Sequence, residues 1–164
     1  MGEEQQAATG QDRETEGEQA PDRSAEADHA IRHLPVLDPE NRAFWTGGAN
    51  GQLLIARCGK CLHYIHPPRP RCHLCGSALI DREAVSGRGR VKTFTVNRQP
   101  WLPGLKVPYI LAAVELEEQQ GLHVISNIVG CPAESVYMGM PVRVEFEQAE
   151  DVWIPLFRPD VEGR

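Results

Sequence analysis

Four of the five cysteines have the spacing of ligands to a single metal ion. The first C-x-x-C pair and the second are separated by ten residues, and together they comprise Cys58, Cys61, Cys72 and Cys75. Each pair brings two thiolates onto one tight turn, and two such turns complete a tetrahedron closed to water. Gly76 suits such a turn after the second pair, whereas Leu62 follows the first pair. Because four sulfur ligands leave no open position, the spacing predicts a structural metal site rather than a catalytic one.

The chemistry of the ligands narrows the identity of the ion. Soft thiolate ligands favour zinc, and iron is the alternative because tetrahedral sulfur sites accept both metals. His63, His66 and His73 lie in or beside the cysteine pattern, and we interpret them as surface histidines because four cysteines already suffice. Cys131 stands alone before a proline, and we interpret it as an inert buried thiol.

The elements that must position these cysteines are mostly short strands. Residues 52–57 indicate a strand that runs into Cys58. Residues 109–116 and 122–129 flank a polar turn, which indicates a β-hairpin. Five or so strands without a helical period follow residue 50 and favour a small closed β-barrel. Upstream of them, Asp38 and Pro39 predict the start of a short helix that carries an adjacent Phe and Trp.

The acidic character of the chain belongs to its first thirty residues. Residues 1–30 contain nine Asp or Glu and two Arg, a balance of −7, so the rest of the chain is close to neutral at +1. The polar, aromatic-free composition of residues 1–30 predicts a disordered tail. A body without net positive charge disfavours general nucleic-acid binding, because phosphate neutralisation supplies most of that affinity.

The sequence contains no targeting signal that we recognise. No apolar run approaches the roughly 20 residues that span a bilayer, and no basic segment followed by an apolar one marks a signal peptide. We therefore expect a cytoplasmic protein. In that reducing compartment, paired C-x-x-C motifs indicate a metal site rather than disulfides.

An ordered set of motifs across residues 34–159 resembles the family first catalogued as domain of unknown function 35 (DUF35). The resemblance excludes the acidic tail. Besides the two cysteine pairs, its elements are Phe44-Trp45, Gly51-x-Leu53, Pro67-Pro68-Arg69, Gly76, Val85-Ser86-Gly87-Arg88-Gly89-x-Val91, Pro108-Tyr109, Asn127, Gly139-Met140-x-Val142 and Phe157-Arg158-Pro159. A zinc ribbon alone is common, but this ordered combination is specific.

The resemblance implies a mostly β protein with three ordered parts. These are a short N-terminal helical segment at residues 31–50, a rubredoxin-like zinc ribbon at 51–82 and a C-terminal OB-fold barrel at 83–164, after the tail at 1–30. Members of the family are similar to non-catalytic subunits that accompany thiolase-superfamily enzymes, such as thiolases and aldolases of steroid side-chain or aromatic degradation. The resemblance implies a hetero-oligomeric, non-enzymatic partner that helps bind CoA and stabilises the complex. The partner would make or break a carbon–carbon bond of an acyl-CoA.

Basic residues near the junction of ribbon and barrel are candidate CoA contacts. The phosphates of an acyl-CoA require cationic or backbone N–H donors. Arg69, Arg88 and Arg90 are the candidates, with Arg71 and Lys92 close to them in sequence. The alternative for residues 86–89 is a simple turn into the first barrel strand.

Exposed aromatic residues on short or restrained segments are candidate partner contacts. Phe44 and Trp45 lie on the short predicted helix, and Trp101 lies in an apolar loop between prolines that also contains Leu102. Two other function classes compete with the partner subunit. A free-standing OB-fold nucleic-acid-binding module uses a basic groove and aromatic platforms, but aromatics make up only 6% of this chain. An independent enzyme requires a nucleophile or acid–base pair, and no convincing one is visible.

Overall fold

The computed structural model describes Met1 and residues 33–101 and 104–161. Its helical elements are α1 (Arg42–Thr46) and two 3-10 helices, Gly47–Asn50 and Ala133–Ser135. Its strands are β1 (Leu53–Cys58), β2 (Tyr64–Ile65), β3 (Ile80–Val85), β4 (Arg88–Asn97), β5 (Tyr109–Leu116), β6 (His123–Ile128), β7 (Pro141–Ala149) and β8 (Val152–Pro159). Among the described residues, no helix has the length and hydropathy needed to cross a bilayer. Apart from Met1, the predicted tail at residues 1–30 lies outside the described residues.

The described strands form a three-stranded sheet and a closed barrel. The small sheet has the antiparallel order β2-β1-β3, and the barrel has the order β4-β5-β6-β8-β7, closed by pairing of β7 with β4. In the barrel, β6 and β8 are parallel and the other neighbours are antiparallel. The mostly β fold and the five-stranded barrel are therefore confirmed. The small sheet continues to the pairing of Leu53 with Val85, so β3 crosses the predicted boundary at residue 82.

Alternating burial along β5 and β6 separates an inner face from an outer one. The buried residues of the two strands are Ile110, Ala112, Val114, Leu116, Val124, Ser126 and Ile128. Because successive side chains of a strand point to opposite faces, the residues between them lie on the outside of the barrel. Leu111 and Ile125 are apolar members of that outer set, with 39% and 64% of their surface exposed.

The helical segment and the small sheet share one core with the barrel. Phe44 of α1 and Leu53 and Ile55 of β1 are buried in the same cluster as Val114 and Phe157 of the barrel. A five-residue helix is not stable alone, so packing of Phe44 holds α1 in place. The two β units are therefore joined by continuous apolar packing.

The start of α1 differs slightly from the sequence prediction. The helix begins at Arg42, and residues 39–41 form a turn before it. Asp38 nevertheless caps this turn, because its Oδ1 accepts a hydrogen bond from the Asn41 N–H at 2.7 Å. Asn41 Oδ1 in return accepts from the Asp38 N–H at 2.9 Å. The capped turn therefore precedes the regular helix, which begins at Arg42.

Candidate metal centre

The two C-x-x-C pairs close turns of the same geometry. The Leu62 N–H donates to the Cys58 carbonyl at 2.8 Å, and the Gly76 N–H donates to the Cys72 carbonyl at 2.9 Å. Leu62 and Gly76 both have left-handed backbone conformations, with φ of 62° and 72°. Few residues other than glycine adopt this conformation. The backbone of Leu62 is therefore in a strained left-handed conformation, which the hydrogen bond that closes the first turn requires.

The four cysteine sulfurs converge on one point. All four Sγ atoms lie within 4.8 Å of one another. Cys58 and Cys75 Sγ are 3.6 Å apart, and Cys61 and Cys72 Sγ are 3.5 Å apart. In a tetrahedral site with metal–sulfur bonds of about 2.3 Å, neighbouring sulfurs are about 3.8 Å apart. The arrangement therefore fits a tetrahedral four-thiolate metal site, and these cysteines would hold the ion.

The cysteines lie in a small core of their own. Cys58 and Cys72 are buried with Ala56 and Ile65, whereas Cys61 is exposed at the edge of the cluster. The backbone N–H of Cys61, which approaches Cys58 Sγ at 3.5 Å, lowers the pKa of the Cys58 thiol to about 6. The backbone N–H of His63 lowers the pKa of the Cys61 thiol, but desolvation and the sulfurs of the other three cysteines outweigh this effect and raise that pKa to about 12. Because the thiolate is the form that binds metal, Cys58 is the more predisposed of this pair. The site is therefore closed by protein on one side and suited to a structural ion.

The histidines and the fifth cysteine lie outside the sulfur cluster. Among the described residues, the four cysteines are the one group of His, Cys, Asp and Glu with metal-site geometry. The rings of His63 and His73 pack edge-to-face against each other, with centroids 5.1 Å apart. His66 packs on the Phe44 ring at 4.7 Å, and burial lowers its pKa to about 4. Cys131 is half-buried against the main core.

The cations predicted to contact CoA lie in different surroundings. Arg69 lines a cavity between the ribbon and the β5–β6 turn. Arg90 lines a second hollow beside that turn and donates to the Gly139 carbonyl at 3.1 Å. Arg88 lies 3.7 Å from the buried carboxylate of Asp160. The structure therefore brings Arg69 and Arg90 to neighbouring hollows, both lined by Gln120, and pairs Arg88 with a carboxylate.

The predicted partner contacts differ in exposure. Phe44 is only 7% exposed, and Trp45 packs against it with ring centroids 4.8 Å apart. Both residues line a groove of about 320 Å³ that also includes Leu111 and Ile125. Trp101 is 69% exposed, and Leu102 lies outside the described residues.

Two residues of interest were not singled out from the sequence. Gln119 joins the β5–β6 turn to the ribbon, because its Oε1 accepts from the Tyr64 N–H at 2.8 Å and its Nε2 donates to the Tyr64 carbonyl at 3.2 Å. A polar turn sequence carries no signal for such a contact. Ile125 is the most exposed apolar residue of the hairpin, and strict alternation along β6 marks it as lying opposite the buried positions.

Comparison with known proteins places the chain in a family. Residues 45–81 match the model of the ChsH2 rubredoxin-like zinc ribbon domain, and residues 82–147 match that of the ChsH2 C-terminal OB-fold domain. The chain is 34% identical over 101 residues to a DUF35 domain-containing scaffold protein of Methanocaldococcus jannaschii, covering 60% of this chain and 70% of the relative. The chain belongs to the DUF35 family. The expected zinc-ribbon plus OB-fold architecture is therefore confirmed.

Other relatives of this DUF35 protein are subunits of larger size. It is 37% identical over 134 residues to a probable enoyl-CoA hydratase alpha subunit of Thermomonospora curvata, covering 80% of this chain and 41% of the relative. It is 35% identical over 126 residues to the 3-oxo-4,17-pregnadiene-20-carboxyl-CoA hydratase alpha subunit of Mycobacterium tuberculosis, covering 77% and 40%. The chain thus spans about two fifths of the length of these two relatives.

A solved structure supports the same fold. A chain of the Ltp2-ChsH2(DUF35) aldolase is similar with a TM-score of 0.68 and 34% sequence identity. The match covers 77% of this chain and 98% of that chain. The likeness thus extends over most of this chain and nearly all of the matched one.

Proposed function

We propose that this DUF35 protein is a non-catalytic subunit of a thiolase-superfamily enzyme that makes or breaks a carbon–carbon bond of an acyl-CoA. The observation that carries the proposal is its likeness to nearly the whole of a chain of the Ltp2-ChsH2(DUF35) aldolase. The names of the two hydratase alpha subunits also describe CoA-ester chemistry in multi-subunit proteins. In this proposal the partner supplies the reacting groups, and the protein acts in the cytoplasm.

The metal centre would serve this role by fixing the ribbon. We propose zinc, because the four thiolates match its preferred ligands and tetrahedral geometry. A closed four-thiolate site provides no coordination position for a substrate. The ion would contribute folding free energy and leave chemistry to the partner.

The outer face of the β5–β6 hairpin is the surface that we assign to the partner enzyme. Two depressions of about 320 and 240 Å³ share Leu111 and Ile125 on this face, and the first extends to Trp45. Among the described residues that line them, none is Lys, Arg, Asp or Glu. Interface cores are depleted of charge and enriched in aromatic residues. The same absence of cations argues against single-stranded nucleic acid, which needs a basic groove.

Co-purification tests the proposal directly. The tagged protein is expressed with the thiolase-like enzyme encoded nearest to it, and carbon–carbon bond cleavage of acyl-CoA is assayed for the complex and for each component. We expect co-elution and an activity that the DUF35 protein lacks alone. A metal-loaded protein that never co-elutes with the enzyme and does not change its activity would contradict the proposal for that partner. Salt-sensitive retention on single-stranded DNA would instead favour the nucleic-acid-binding alternative.

A further inference from the structure

Positive charge is concentrated on the ribbon turns around the metal centre. Residues 58–79 contain three cations, Lys60, Arg69 and Arg71, and no Asp or Glu. Residues 31–164 hold 15 bases and 14 acids, so the part of this range outside 58–79 holds 12 bases and 14 acids, a balance of −2. All three ribbon cations are exposed. An anionic segment would therefore find an excess of cations on the ribbon and not on the barrel.

The ribbon cations are brought together by the same turns that bring the cysteines together. Lys60 directly precedes Cys61, and Arg71 directly precedes Cys72. The Sγ atoms of these two cysteines are 3.5 Å apart. Arg69 is separated from Arg71 by a single proline. The three cations thus belong to one surface beside the metal centre.

The ribbon cations form no ion pair within the described part of the chain. Arg71 donates a hydrogen bond at 3.4 Å to a neutral acceptor, the Gly76 carbonyl. By contrast, the exposed cations Arg98 and Arg158 lie 3.6 and 3.2 Å from glutamate oxygens. The ribbon cations are therefore available to carboxylates from outside the described residues.

The acidic tail at residues 1–30 supplies such carboxylates. It has nine Asp or Glu and two Arg, a balance of −7. It contains no Val, Ile, Leu, Phe, Trp or Tyr. Charge, rather than apolar surface, is therefore the property that it offers to a binding surface.

The described structure resumes after the tail at a point close to the ribbon. His33 lines the same groove as Phe44, and the Phe44 ring packs on His66 with centroids 4.7 Å apart. His66 precedes Arg69 by three residues. Asp22 lies eleven residues before His33, and eleven residues span at most about 40 Å. A domain of about 130 residues has a radius of gyration of about 14 Å, so most carboxylates of the tail can reach the ribbon cations.

We propose that the acidic tail docks on the ribbon cations of its own chain. Exposed ion pairs are individually weak and are screened by salt. Covalent attachment gives the tail an effective concentration on the order of millimolar at the ribbon, so several weak pairs together hold it there.

The contact that we infer is made at short range. A four-thiolate zinc centre carries two excess negative charges, so the tail pairs with the individual side chains and not with a strongly positive field. The docked tail neutralises these side chains towards other anionic macromolecules. This inference concerns the isolated chain and is independent of the proposed partner enzyme.

Carbodiimide cross-linking of the full, metal-loaded chain tests the inference, because the reagent joins an amine to a carboxylate in direct contact. The chain has three lysines, Lys60, Lys92 and Lys106. Lys92 Nζ lies 3.3 Å from a Glu115 oxygen, so the cross-link between these two residues is the internal standard. We expect peptide mass spectrometry to find Lys60 joined to carboxylates of residues 1–30. High salt should lower this yield, relative to the standard, at least about threefold.

Two double variants with the same change in net charge locate the contact. Arg69→Gln/Arg71→Gln removes two ribbon cations and leaves Lys60 as the reporter, so the relative yield should fall at least about threefold. Arg98→Gln/Arg158→Gln is the matched control, because both arginines are exposed outside the ribbon, and it should keep the yield. Elemental analysis for the metal checks that the ribbon of each variant is intact.

Each outcome bears on the docked tail. Cross-links from Lys60 to residues 1–30 that require Arg69 and Arg71 support the inference. If these cross-links are missing while the internal standard forms, or if both double variants give equal yields, the inference is overturned. In a mixture of unlabelled and nitrogen-15-labelled protein, cross-links between the two kinds of chain would assign the contact to a second copy and overturn docking within one chain. Complex formation with the enzyme is measured separately, so a failed tail contact and a failed partnership are distinguishable.

Discussion

Gln119 pairs with Tyr64 as a neighbouring strand would. Its side-chain amide accepts from the Tyr64 N–H at 2.8 Å and donates to the Tyr64 carbonyl at 3.2 Å, and so satisfies both backbone groups of a buried residue. The contact joins the turn after β5 to β2 of the ribbon. Since Phe44 and Ile55 already tie these units through apolar packing, the amide pair adds directional specificity at their junction.

Replacing Gln119 with Ala should destabilise the protein, because the backbone N–H and carbonyl of Tyr64 would lose their hydrogen-bond partner. A buried donor or acceptor without a partner costs about 1–3 kcal/mol. We expect the free energy of unfolding in urea to fall by that amount. Gln120→Ala is the matched control, because Gln120 is the exposed neighbour in the same turn. If the two variants are equally stable, the hydrogen bonds between Gln119 and the Tyr64 backbone contribute nothing to the free energy of unfolding.

Much of the fold could be predicted because its signals are local. The cysteine spacing specifies two turns whose geometry depends only on neighbouring residues, as the bonds from Leu62 and Gly76 demonstrate. The two apolar runs at residues 109–116 and 122–129, which flank a polar turn, likewise identify the two strands of a hairpin. In contrast, the Gln119 contact joins a polar turn to a distant residue. Its sequence resembles that of any solvated turn.

The candidate CoA cations illustrate the same limit. Arg88 and Arg90 are close in sequence to one another and to Lys92, which favoured one basic cluster. In the structure Arg88 pairs with Asp160, and Lys92 lies 3.3 Å from Glu115, which is on the neighbouring strand β5. The two carboxylates, Asp160 and Glu115, belong to segments that are distant in sequence from residues 88–92. Their positions depend on the register of the barrel, which nearby sequence does not specify.

Substitution of Gly87 should be more harmful than that of a glycine with a similar backbone. Gly87 has φ of 71°, and a Cβ there would collide with the Val144 side chain. Gly121 has φ of 79° with no atom within 4 Å of a Cβ. A left-handed backbone costs about 1–2 kcal/mol without glycine, and overpacking adds about 1–3 kcal/mol. In urea unfolding, the free energy of unfolding of Gly87→Ala should be lower than that of Gly121→Ala by the overpacking cost of about 1–3 kcal/mol. Equal losses of stability in the two variants would contradict the role of Val144.

Removal of one cysteine ligand should empty the metal centre. Elemental analysis of the purified protein should find about one zinc ion per chain, as a single four-thiolate site holds one metal. Cys58→Ser should reduce this content to near zero. It should also increase hydrogen exchange at Ala56 and Ile65, which pack with the cysteines. Cys131→Ser is the control and should retain the ion. Iron in place of zinc would correct the metal, and a fully loaded Cys58→Ser would refute the assigned ligands.

Acid should destabilise the protein partly through His66. Because its folded pKa of about 4 lies below the ordinary value of 6.5, the unfolded state binds more protons between these pH values. This contribution to stability is full above pH 6.5 and is lost as the pH falls towards 4. We expect His66 to account for about 2 kcal/mol of the loss between about pH 7 and pH 5.

The variant His66→Phe isolates this effect, because acid protonation of other groups is common to both proteins. Urea unfolding at the two pH values should show a loss smaller by that amount in the variant. His33→Phe, at an exposed position, is the control and should keep the full loss. If the unsubstituted protein and both variants show the same pH dependence, His66 takes up a proton as readily in the folded state as in the unfolded state.

A charge placed at Ile125 should prevent assembly with the partner enzyme while leaving the subunit folded. Ile125 is 64% exposed at the centre of an uncharged apolar face, so Ile125→Lys removes little from the core. Burial of an unpaired ammonium in an interface is unfavourable, and loss of a central contact costs about 1–2 kcal/mol or more. We expect affinity for the enzyme to fall at least about tenfold by surface plasmon resonance. Met138→Lys is the matched control, because Met138 is 70% exposed and lies outside that face. If Ile125→Lys binds as tightly as Met138→Lys, the partner contacts a different surface of the protein.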